Sequence, residues 1–254
     1  MRVGIFSPVY HRNKEVEKFL ITLLLSNFSD HEVYFFIGIN GADSNLRYFI
    51  SSYSEAVCDK FKKIVVYDPE ENIGKPALVN IMVSESKDQA GEDLDYVISL
   101  DSDFVMIDSE WLNKLVWIFE NKGSLPIGAL CSNQIGASCH DLSGGVFVSS
   151  VGSFHVIFRN GNEGIAGGLL MTPKLLWDKI GGYFGHRIYA SDDGHYALAC
   201  AQMGLIMGMV PEVNFFHPAS EDPGYVSWKK KAMSDSLVEE EKKGFNFSGN
   251  LSSM

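Results

Sequence analysis

The sequence predicts an α/β fold with a mostly parallel central sheet and helices on both faces. Over the first half, short apolar runs alternate with longer segments whose apolar residues follow the helical period, and this alternation is typical of parallel sheets. The chain has 254 residues, of which 46% are hydrophobic, so it can bury a large core. The second half alternates less regularly and predicts a smaller β region beside the main sheet.

The first half contains four predicted strands and four predicted helices. The strands are short apolar runs bounded by polar residues, and the helices carry apolar residues three and four positions apart. The strands cover residues 2–9, 32–40, 62–68 and 95–101, and the helices cover 14–27, 45–57, 75–87 and 110–122. Pro76 falls in the first turn of the third helix, where proline is tolerated.

The second half predicts further strands and two short helices. Thr172 is expected to be the N-cap of the first helix, and Gly181 and Gly182 are expected to close it. The strands cover residues 126–134 and 206–213, a hairpin lies within 140–168, and the helices cover 172–182 and 192–204. Ligands of such α/β sheets gather at the carboxyl ends of the strands.

Charge and cysteine content narrow the class of protein. A net charge of −11 disfavours general binding to nucleic acid phosphates, but a small phosphorylated ligand held by a few cations or a metal remains compatible. The sequence contains no run of about 18 apolar residues, so it predicts no transmembrane helix. The N-terminal apolar run is too short for a signal peptide. The four scattered cysteines form no CxxC pair, which predicts a reducing, cytoplasmic setting, with attachment to a membrane surface left open.

Asp101 and Asp103 end the predicted strand "YVISL". Residues two apart on an extended segment point the same way, so both carboxylates can face one ligand. Two carboxylates suit Mn²⁺ or Mg²⁺, which prefer oxygen ligands and share them with phosphates. The alternative is a loop in which one aspartate caps the next helix, but the position at a strand end favours a metal site.

Three further positions carry candidate chemistry. Gly74 and Lys75 stand at the start of a predicted helix, as in a phosphate-binding loop. However, the upstream glycine and the Ser or Thr of that loop are missing. What remains is a turn whose lysine either binds an anion or is simply solvated. Asp192 and Asp193 begin a helix, where one can cap and the other can act as a general base. His217 ends the last strand and is either a metal ligand or a structural histidine.

Taken in order, these segments resemble the family 2 glycosyltransferases with the GT-A fold. The resemblance covers about residues 2–217 and rests on five segments in the family's order: "SPVYHRNKEVEKFL", "FIGINGADSN", "NIGKPALVN", "DYVISLDSDF" with its DXD motif, and "IAGGLLMTPKLLWDKIGGY" followed by "SDDGHYALACAQMG". The sequence departs from the pattern at the end of the second strand, where Asn40 replaces an aspartate. It departs again in the acid pair, usually Glu-Asp, and in the helix after it, which lacks an arginine.

The resemblance implies an inverting hexosyl- or pentosyltransferase that moves a sugar from a nucleotide diphosphate, with UDP favoured, to an acceptor hydroxyl. Asp193 is expected to be the base, with Asp192 as the other candidate. Asp101, Asp103 and His217 are expected to hold Mn²⁺ or Mg²⁺ on the diphosphate. Four residues are expected to line the nucleotide pocket together with Asp101: Pro8, Tyr10, Asn40 and Lys75.

The resemblance also implies one glycosyltransferase domain over residues 1–254. Within it, 1–103 bind the nucleotide sugar, 104–217 form the acceptor side and 218–254 form a flexible C-terminal segment. The glycine-rich stretch 138–164 is expected to belong to the acceptor side and to move. The acceptor is left open among glycans, lipids, proteins and small molecules, and the acidic charge disfavours a modified nucleic-acid base.

Two alternatives compete with this interpretation. A sugar-phosphate nucleotidyltransferase also uses paired aspartates and a metal, but its glycine- and arginine-rich phosphate loop is missing from "SPVYHRNKE". The other alternative is a non-catalytic nucleotide- or carbohydrate-binding module on the same fold, against which the DXD motif and the acid pair argue.

Overall fold

A computed structural model describes most of the chain. The described residues are 1–41, 44–136, 142, 145–159, 168–184 and 192–219, with 224, 226–228, 230–232 and 234 in the C-terminal segment. Most of the predicted flexible segment 218–254, and parts of the stretch 138–164, therefore lie outside the described residues. Among the described residues, no helix combines the length and apolar character needed to cross a membrane.

The first half alternates strands and helices as predicted. In chain order it contains β1 (Arg2–Val9), α1 (Asn13–Leu25), β2 (Glu32–Ile39), α2 (Ser44–Ala56), a 3₁₀ turn (Cys58–Lys60), β3 (Lys63–Tyr67), α3 (Lys75–Ala90) and β4 (Tyr96–Leu100). Seven of the eight residues of β2 are buried, as expected for a parallel strand covered on both faces. Pro76 lies in the first turn of α3, where its missing N–H removes no helical hydrogen bond.

The second half adds strands to the same sheet and places helices between them. It contains β5 (Val105–Met106), α4 (Trp111–Asn121), β6 (Ile127–Gly136), β7 (Val146–Val151), β8 (Phe154–Arg159), β9 (Leu169–Pro173), α5 (Lys174–Ile180), α6 (Asp192–Gln202) and β10 (Ile206–His217). The hairpin predicted within 140–168 is the antiparallel pair β7–β8. The last strand is longer than predicted and reaches His217.

Among the described residues the sheet has ten strands, nine of them in the order β3-β2-β1-β4-β9-β6-β10-β8-β7 and the tenth, β5, paired to β10. Strands β3, β2, β1 and β4 are mutually parallel, and β6 is parallel to β10. The predicted α/β class with a mostly parallel central sheet is confirmed. Two apolar clusters cover its faces, one containing Phe19, Phe35 and Trp111 and the other containing Leu78 and Trp177.

The structure differs from the prediction around Thr172. Instead of capping a helix, Thr172 lies in β9, where it is buried and its hydroxyl donates a hydrogen bond to the Gly128 carbonyl at 2.9 Å. Pro173 is the N-cap of α5. β9 is antiparallel to both β4 and β6. Because the run from Leu169 to Met171 is short and continuously apolar, periodicity cannot separate it from the following helix. The predicted helix end is confirmed, since Gly181 is the left-handed C-cap at φ 87°.

β9 and β10 shape the polar end of β4. The Asp101 N–H donates to the Gly168 carbonyl at 2.7 Å, so the DXD segment is attached to the chain that enters β9. A Cβ on Gly168 would lie 1.7 Å from a ring atom of Phe104, and only glycine allows this approach. The pairing of Phe216 with Val105 brings the end of β10, with His217, beside the same segment.

Candidate functional site

The predicted site residues gather at the carboxyl ends of the parallel strands. Pro8 and Tyr10 belong to the end of β1, Asn40 directly follows β2, and Asp101 and Asp103 follow β4. The starts of two helices and the end of one strand complete the site with Lys75 on α3, Asp192 and Asp193 on α6, and His217 on β10. This is the edge at which α/β sheets bind ligands.

Lys75 joins the DXD segment to the acid pair. Its Nζ lies 2.7 Å from Asp101 Oδ1 and 2.9 Å from Asp192 Oδ2. One ammonium group therefore compensates one carboxylate from β4 and one from α6. Asp192 is buried, and a buried carboxylate requires such a partner. Lys75 thus fixes the distance between two segments that are far apart in the sequence.

The charges around Lys75 also shift the pKa values of Lys75 and Asp101. Burial alone would lower the pKa of Lys75, but the charges of Asp101 and Asp192 outweigh it and hold this pKa well above its ordinary value. Burial raises the pKa of Asp101 to about 6, because the lowering effect of Lys75 is opposed by repulsion from Asp103 and Asp192. Lys75 therefore stays charged, and Asp101 is easier to protonate than an ordinary aspartate.

Asp103 has a separate set of partners. Its Oδ2 accepts a hydrogen bond from Arg12 Nη1 at 2.5 Å and lies 3.3 Å from His217 Nε2. The His217 ring packs against the ring of Phe104, with 4.9 Å between the centroids. The Arg12 side chain is only 7% exposed. The buried guanidinium of Arg12 and the imidazole of His217 therefore approach the same atom, Asp103 Oδ2.

The acid pair divides between two environments. Asp192 is buried and bound to Lys75, whereas Asp193 is half-buried and its Oδ1 accepts a hydrogen bond from the Gly194 N–H at 2.9 Å. Both lie in the first turn of α6, where the helix dipole stabilises a negative charge. Asp192 therefore has a cationic partner at 2.9 Å, whereas Asp193 is the less buried of the two. The geometry thus gives the two acids different chemical characters.

Asn40 acts on the loop that leads to Lys75. Its Oδ1 accepts a hydrogen bond from the Ile73 N–H at 2.9 Å, and Asn72 Oδ1 accepts one from the Gly74 N–H at 2.9 Å. Gly41 has φ 74°, and a Cβ there would lie 2.9 Å from the Asn72 nitrogen. The carboxyl end of β2 is therefore packed directly on the turn before α3. This contact shapes the entrance of the predicted nucleotide pocket.

Asn80 and Tyr183 support Lys75 from the other side. Asn80 Nδ2 donates to the Tyr183 carbonyl at 2.8 Å, and Asn80 Oδ1 accepts from the Tyr183 N–H at 2.9 Å. Lys75 Nζ lies 5.9 Å from the centroid of the Tyr183 ring, within the range of a cation–π contact. The turn after α5 is thus tied to α3, and it places an aromatic face next to the lysine.

Tyr10 and Pro8 lie at the end of β1, where the structure adds an aromatic partner. The Tyr10 ring packs against Trp228 of the C-terminal segment, with 5.0 Å between centroids at 40°. Pro8 pairs with Gly38 of β2. An aromatic pair at this edge suits the flat face of a nucleobase, since aromatic side chains stack on bases.

Sequence reasoning missed Arg12 and Trp228. Arg12 lies in the short turn between β1 and α1, and a charged residue just after a strand is a signal that could have singled it out. His11 and Arg12 have φ 53° and 58°, and no other non-glycine residue that the structure describes has a positive φ. Trp228 lies in a polar segment with weak periodicity, so only the fold shows that it reaches β1.

The donor set fits Mn²⁺ or Mg²⁺ in type. Asp101 and Asp103 supply carboxylate oxygens and His217 supplies an imidazole, a combination these metals accept. Within the described part of the chain, no three such side chains are gathered tightly enough to hold an ion. Lys75 and Arg12 occupy Asp101 Oδ1 and Asp103 Oδ2 instead. Bound metal therefore requires these carboxylates to change partners.

No family model and no curated protein sequence matches the chain, but solved structures do. The mannosyltransferase PcManGT from Pyrobaculum calidifontis, in complex with GDP-Man and Mn²⁺, superposes with a TM-score of 0.65 at 16% identity over 96% of this chain and 64% of that one. TarS 1–349 from S. aureus with UDP-GlcNAc gives 0.64 at 13% identity over 94% and 66%. GalNAc-T7 with UDP, GalNAc and Mn²⁺ gives 0.65 at 12% identity over 86% and 44%.

These likenesses concern the fold. They show that the chain has the GT-A-like architecture that these glycosyltransferases share, as the family resemblance implies. The chain spans 64% and 66% of the lengths of PcManGT and TarS 1–349. Because one fold can carry several chemistries, activity must be argued from the site itself.

Proposed function

We propose that the protein is a metal-dependent glycosyltransferase that moves a sugar from a nucleoside-diphosphate sugar to an acceptor hydroxyl, with inversion at the anomeric carbon. The observation that carries the proposal is the juxtaposition of the DXD carboxylate Asp101 and the acid-pair carboxylate Asp192 around Lys75. On a glycosyltransferase fold, this juxtaposition supports a diphosphate side and an acceptor side that lie next to each other. A UDP-sugar is the favoured donor.

The proposed metal group consists of Asp101, Asp103 and His217. They would hold Mn²⁺ or Mg²⁺, which when bound supplies positive charge to the leaving diphosphate. The 3.3 Å contact between His217 Nε2 and Asp103 Oδ2 supports the inclusion of His217 in the metal group, because the two potential ligand atoms are already close to each other. Phe104 packs against the His217 ring at an interplanar angle of 32°.

The proposed base is Asp193. The acceptor oxygen attacks the anomeric carbon as the bond to the diphosphate oxygen breaks, and the acceptor proton passes to the Asp193 carboxylate. Asp192 is the other candidate, but its carboxylate is occupied by the ion pair with Lys75. Asp192 then serves to hold the start of α6 against the DXD segment.

The proposed nucleotide pocket lies between β1, β2 and α3. Tyr10 offers an aromatic face, and Pro8 and Asn40 close the strand ends beneath it. Lys75 can meet an anionic oxygen of the donor, as helix N-termini with a basic side chain commonly do. Asn40 fixes the loop through its bond to Ile73 and therefore acts on the pocket at least partly through the backbone.

We also propose that residues 1–254 form one domain in a reducing, cytoplasmic setting. One sheet runs through both halves, which supports a single domain. Cys131 and Cys200 are buried free thiols, which supports the reducing setting. The acceptor remains a hydroxyl compound: a glycan, lipid, protein or small molecule.

A panel of sugar nucleotides tests the proposal. Purified protein is incubated with Mn²⁺, crude acceptor fractions and each UDP- or GDP-sugar, and release of nucleoside diphosphate is measured. Release with one donor, lost in Asp103→Ala, supports the proposal. Production of nucleoside triphosphate from sugar nucleotide and pyrophosphate would identify a nucleotidyltransferase instead. Tight binding of nucleotide without release of product under any condition would indicate a binding module.

A further inference from the structure

Arg12 stands at an unusual point of the backbone. It is the N-cap of α1 in a left-handed conformation (φ 58°, ψ 50°), and His11 before it is also left-handed at φ 53°. Such conformations are costly for residues with a Cβ and collect at ligand sites. The turn directs a long cationic side chain to the carboxyl end of β4, where it contacts Asp103.

The Arg12 guanidinium is nearly buried, and two carboxylates lie close to its positive charge. Its Nη1 bonds to Asp103 Oδ2 at 2.5 Å, and its Nη2 lies 3.4 Å from Glu15 Oε1. With Lys75 on Asp101, each of the two DXD carboxylates has one cationic partner. Side chains of the chain itself therefore compensate part of the charge of the DXD pair, because the same two cations also pair with Asp192 and Glu15.

These two cations oppose the binding of a divalent metal ion in the absence of nucleotide. A divalent cation at Asp101 and Asp103 would lie close to a guanidinium and an ammonium, and like charges at short range repel strongly. A nucleoside diphosphate removes the conflict because its oxygens can accept the hydrogen bonds that the two cations give up. Arginine suits this exchange, since its planar fork binds carboxylate and phosphate with the same geometry.

We infer that Arg12 is a diphosphate-binding residue that exchanges Asp103 for the diphosphate of the donor, so that metal and nucleotide enter together. The inference rests on the proposed function. Arg12 holds Asp103 in place before the donor binds and then releases it to the metal. Each cation has a second carboxylate partner, Asp192 for Lys75 and Glu15 for Arg12, so each can keep one partner when its DXD carboxylate turns to the metal.

The test uses binding of Mn²⁺, UDP and GDP to the full chain, by calorimetry and by electron paramagnetic resonance of free Mn²⁺. Arg12→Asn removes the charge while keeping a residue that tolerates the left-handed backbone. We expect it to bind Mn²⁺ alone at least about fivefold more tightly than the wild type, and to bind nucleotide in EDTA more weakly by a similar factor, within the usual range of coupling between linked sites. A purely structural arginine would give the opposite result for Mn²⁺, because its loss would disorder Asp103.

Two comparisons complete the experiment. Arg2→Asn is the matched control, because Arg2 lies at the other end of β1 and pairs with Glu92 and Asp95, and we expect it to change neither affinity. If Arg12→Asn does not fold, as judged by circular dichroism, Arg12→Lys carries the test. Lysine keeps the positive charge but lacks the planar two-nitrogen fork of arginine. The affinity for Mn²⁺ should therefore equal that of the wild type, and the affinity for nucleotide in EDTA should fall.

The possible outcomes separate the inference from the proposed function. Weaker or unchanged Mn²⁺ binding in Arg12→Asn, or unchanged nucleotide binding in Arg12→Lys, overturns the inference and leaves glycosyl transfer standing. The expected shifts without any sugar transfer support the inference and contradict the proposed function. A wild-type chain that binds neither UDP nor GDP, with or without Mn²⁺, overturns both.

Discussion

Asp101 and Asp192 lie on either side of one ammonium group, that of Lys75, at 2.7 and 2.9 Å. The contact joins the strand that carries the DXD motif to the helix that carries the acid pair. Any change at this lysine should therefore affect both halves of the proposed site at once.

Lys75→Met should destabilise the protein and weaken nucleotide binding. Removing the cation leaves two carboxylates that repel each other in a buried setting, and we expect a loss of about 1–3 kcal/mol in the free energy of unfolding, measured by urea denaturation. Lys87→Met on the same helix is the control, since Lys87 forms an exposed pair with Asp93 and such pairs contribute little. Equal stability of the two variants would show that the Lys75 bridge does not hold the site together.

Activity should depend on a divalent metal held by Asp103. Chelation with EDTA should abolish turnover, and added Mn²⁺ or Mg²⁺ should restore it, because the diphosphate leaving group carries negative charge. Asp103→Ala should fold, as seen by circular dichroism, but lose metal-dependent nucleotide binding in a calorimetric titration. Full turnover of the wild type in excess chelator would contradict the proposed metal group.

The two acids of α6 should respond differently to amide substitution. Asp193→Asn should bind donor normally, melt near the wild-type temperature and lose about 10²–10⁴-fold in rate, together with the acidic limb of the pH–rate profile. Asp192→Asn loses its ion pair with Lys75 and should melt lower, with a smaller loss of rate. A stable but inactive Asp192→Asn beside an active Asp193→Asn would reverse the assignment of the base.

Trp228 should report nucleotide binding. It packs on Tyr10 with 5.0 Å between ring centroids, so a base that stacks on Tyr10 must displace or cover the indole and quench its fluorescence. Trp228→Phe should remove most of the quenching produced by UDP. Trp117→Phe is the control, because Trp117 packs on Phe154 of the β7–β8 hairpin. Undiminished quenching in Trp228→Phe would separate Tyr10 from the nucleobase.

The β7–β8 hairpin should open more readily than the centre of the sheet. β7 is an edge strand on which Phe147 is 44% and Val148 is 55% exposed, whereas every residue of β4 is buried. Hydrogen exchange measured by mass spectrometry should therefore be faster over Val146–Val151 than over Tyr96–Leu100. Equal protection of the two strands would argue against a mobile acceptor side.

Local pattern was sufficient for most of the fold, because period and turn chemistry act over a few residues. The strand that ends at Asp101, the helix that begins at Lys75 and the acid pair on α6 all follow from such signals. β9 did not, because its run of three apolar residues has no period of its own and its neighbours β4 and β6 are distant in sequence. Arg12 was missed for the same reason, since its partner Asp103 is brought to it only by the sheet.

The late position of β9 has a consequence for the chain while it is being made. β4 lies between β1 and β9, and only β1 precedes it in synthesis. Until residues 101–168 have been translated and β9 has followed, one row of β4 backbone donors and acceptors stays open along a largely apolar strand. Unpaired apolar edges of this kind associate with other chains. Pairing with β9 therefore protects this edge of β4 only late in synthesis.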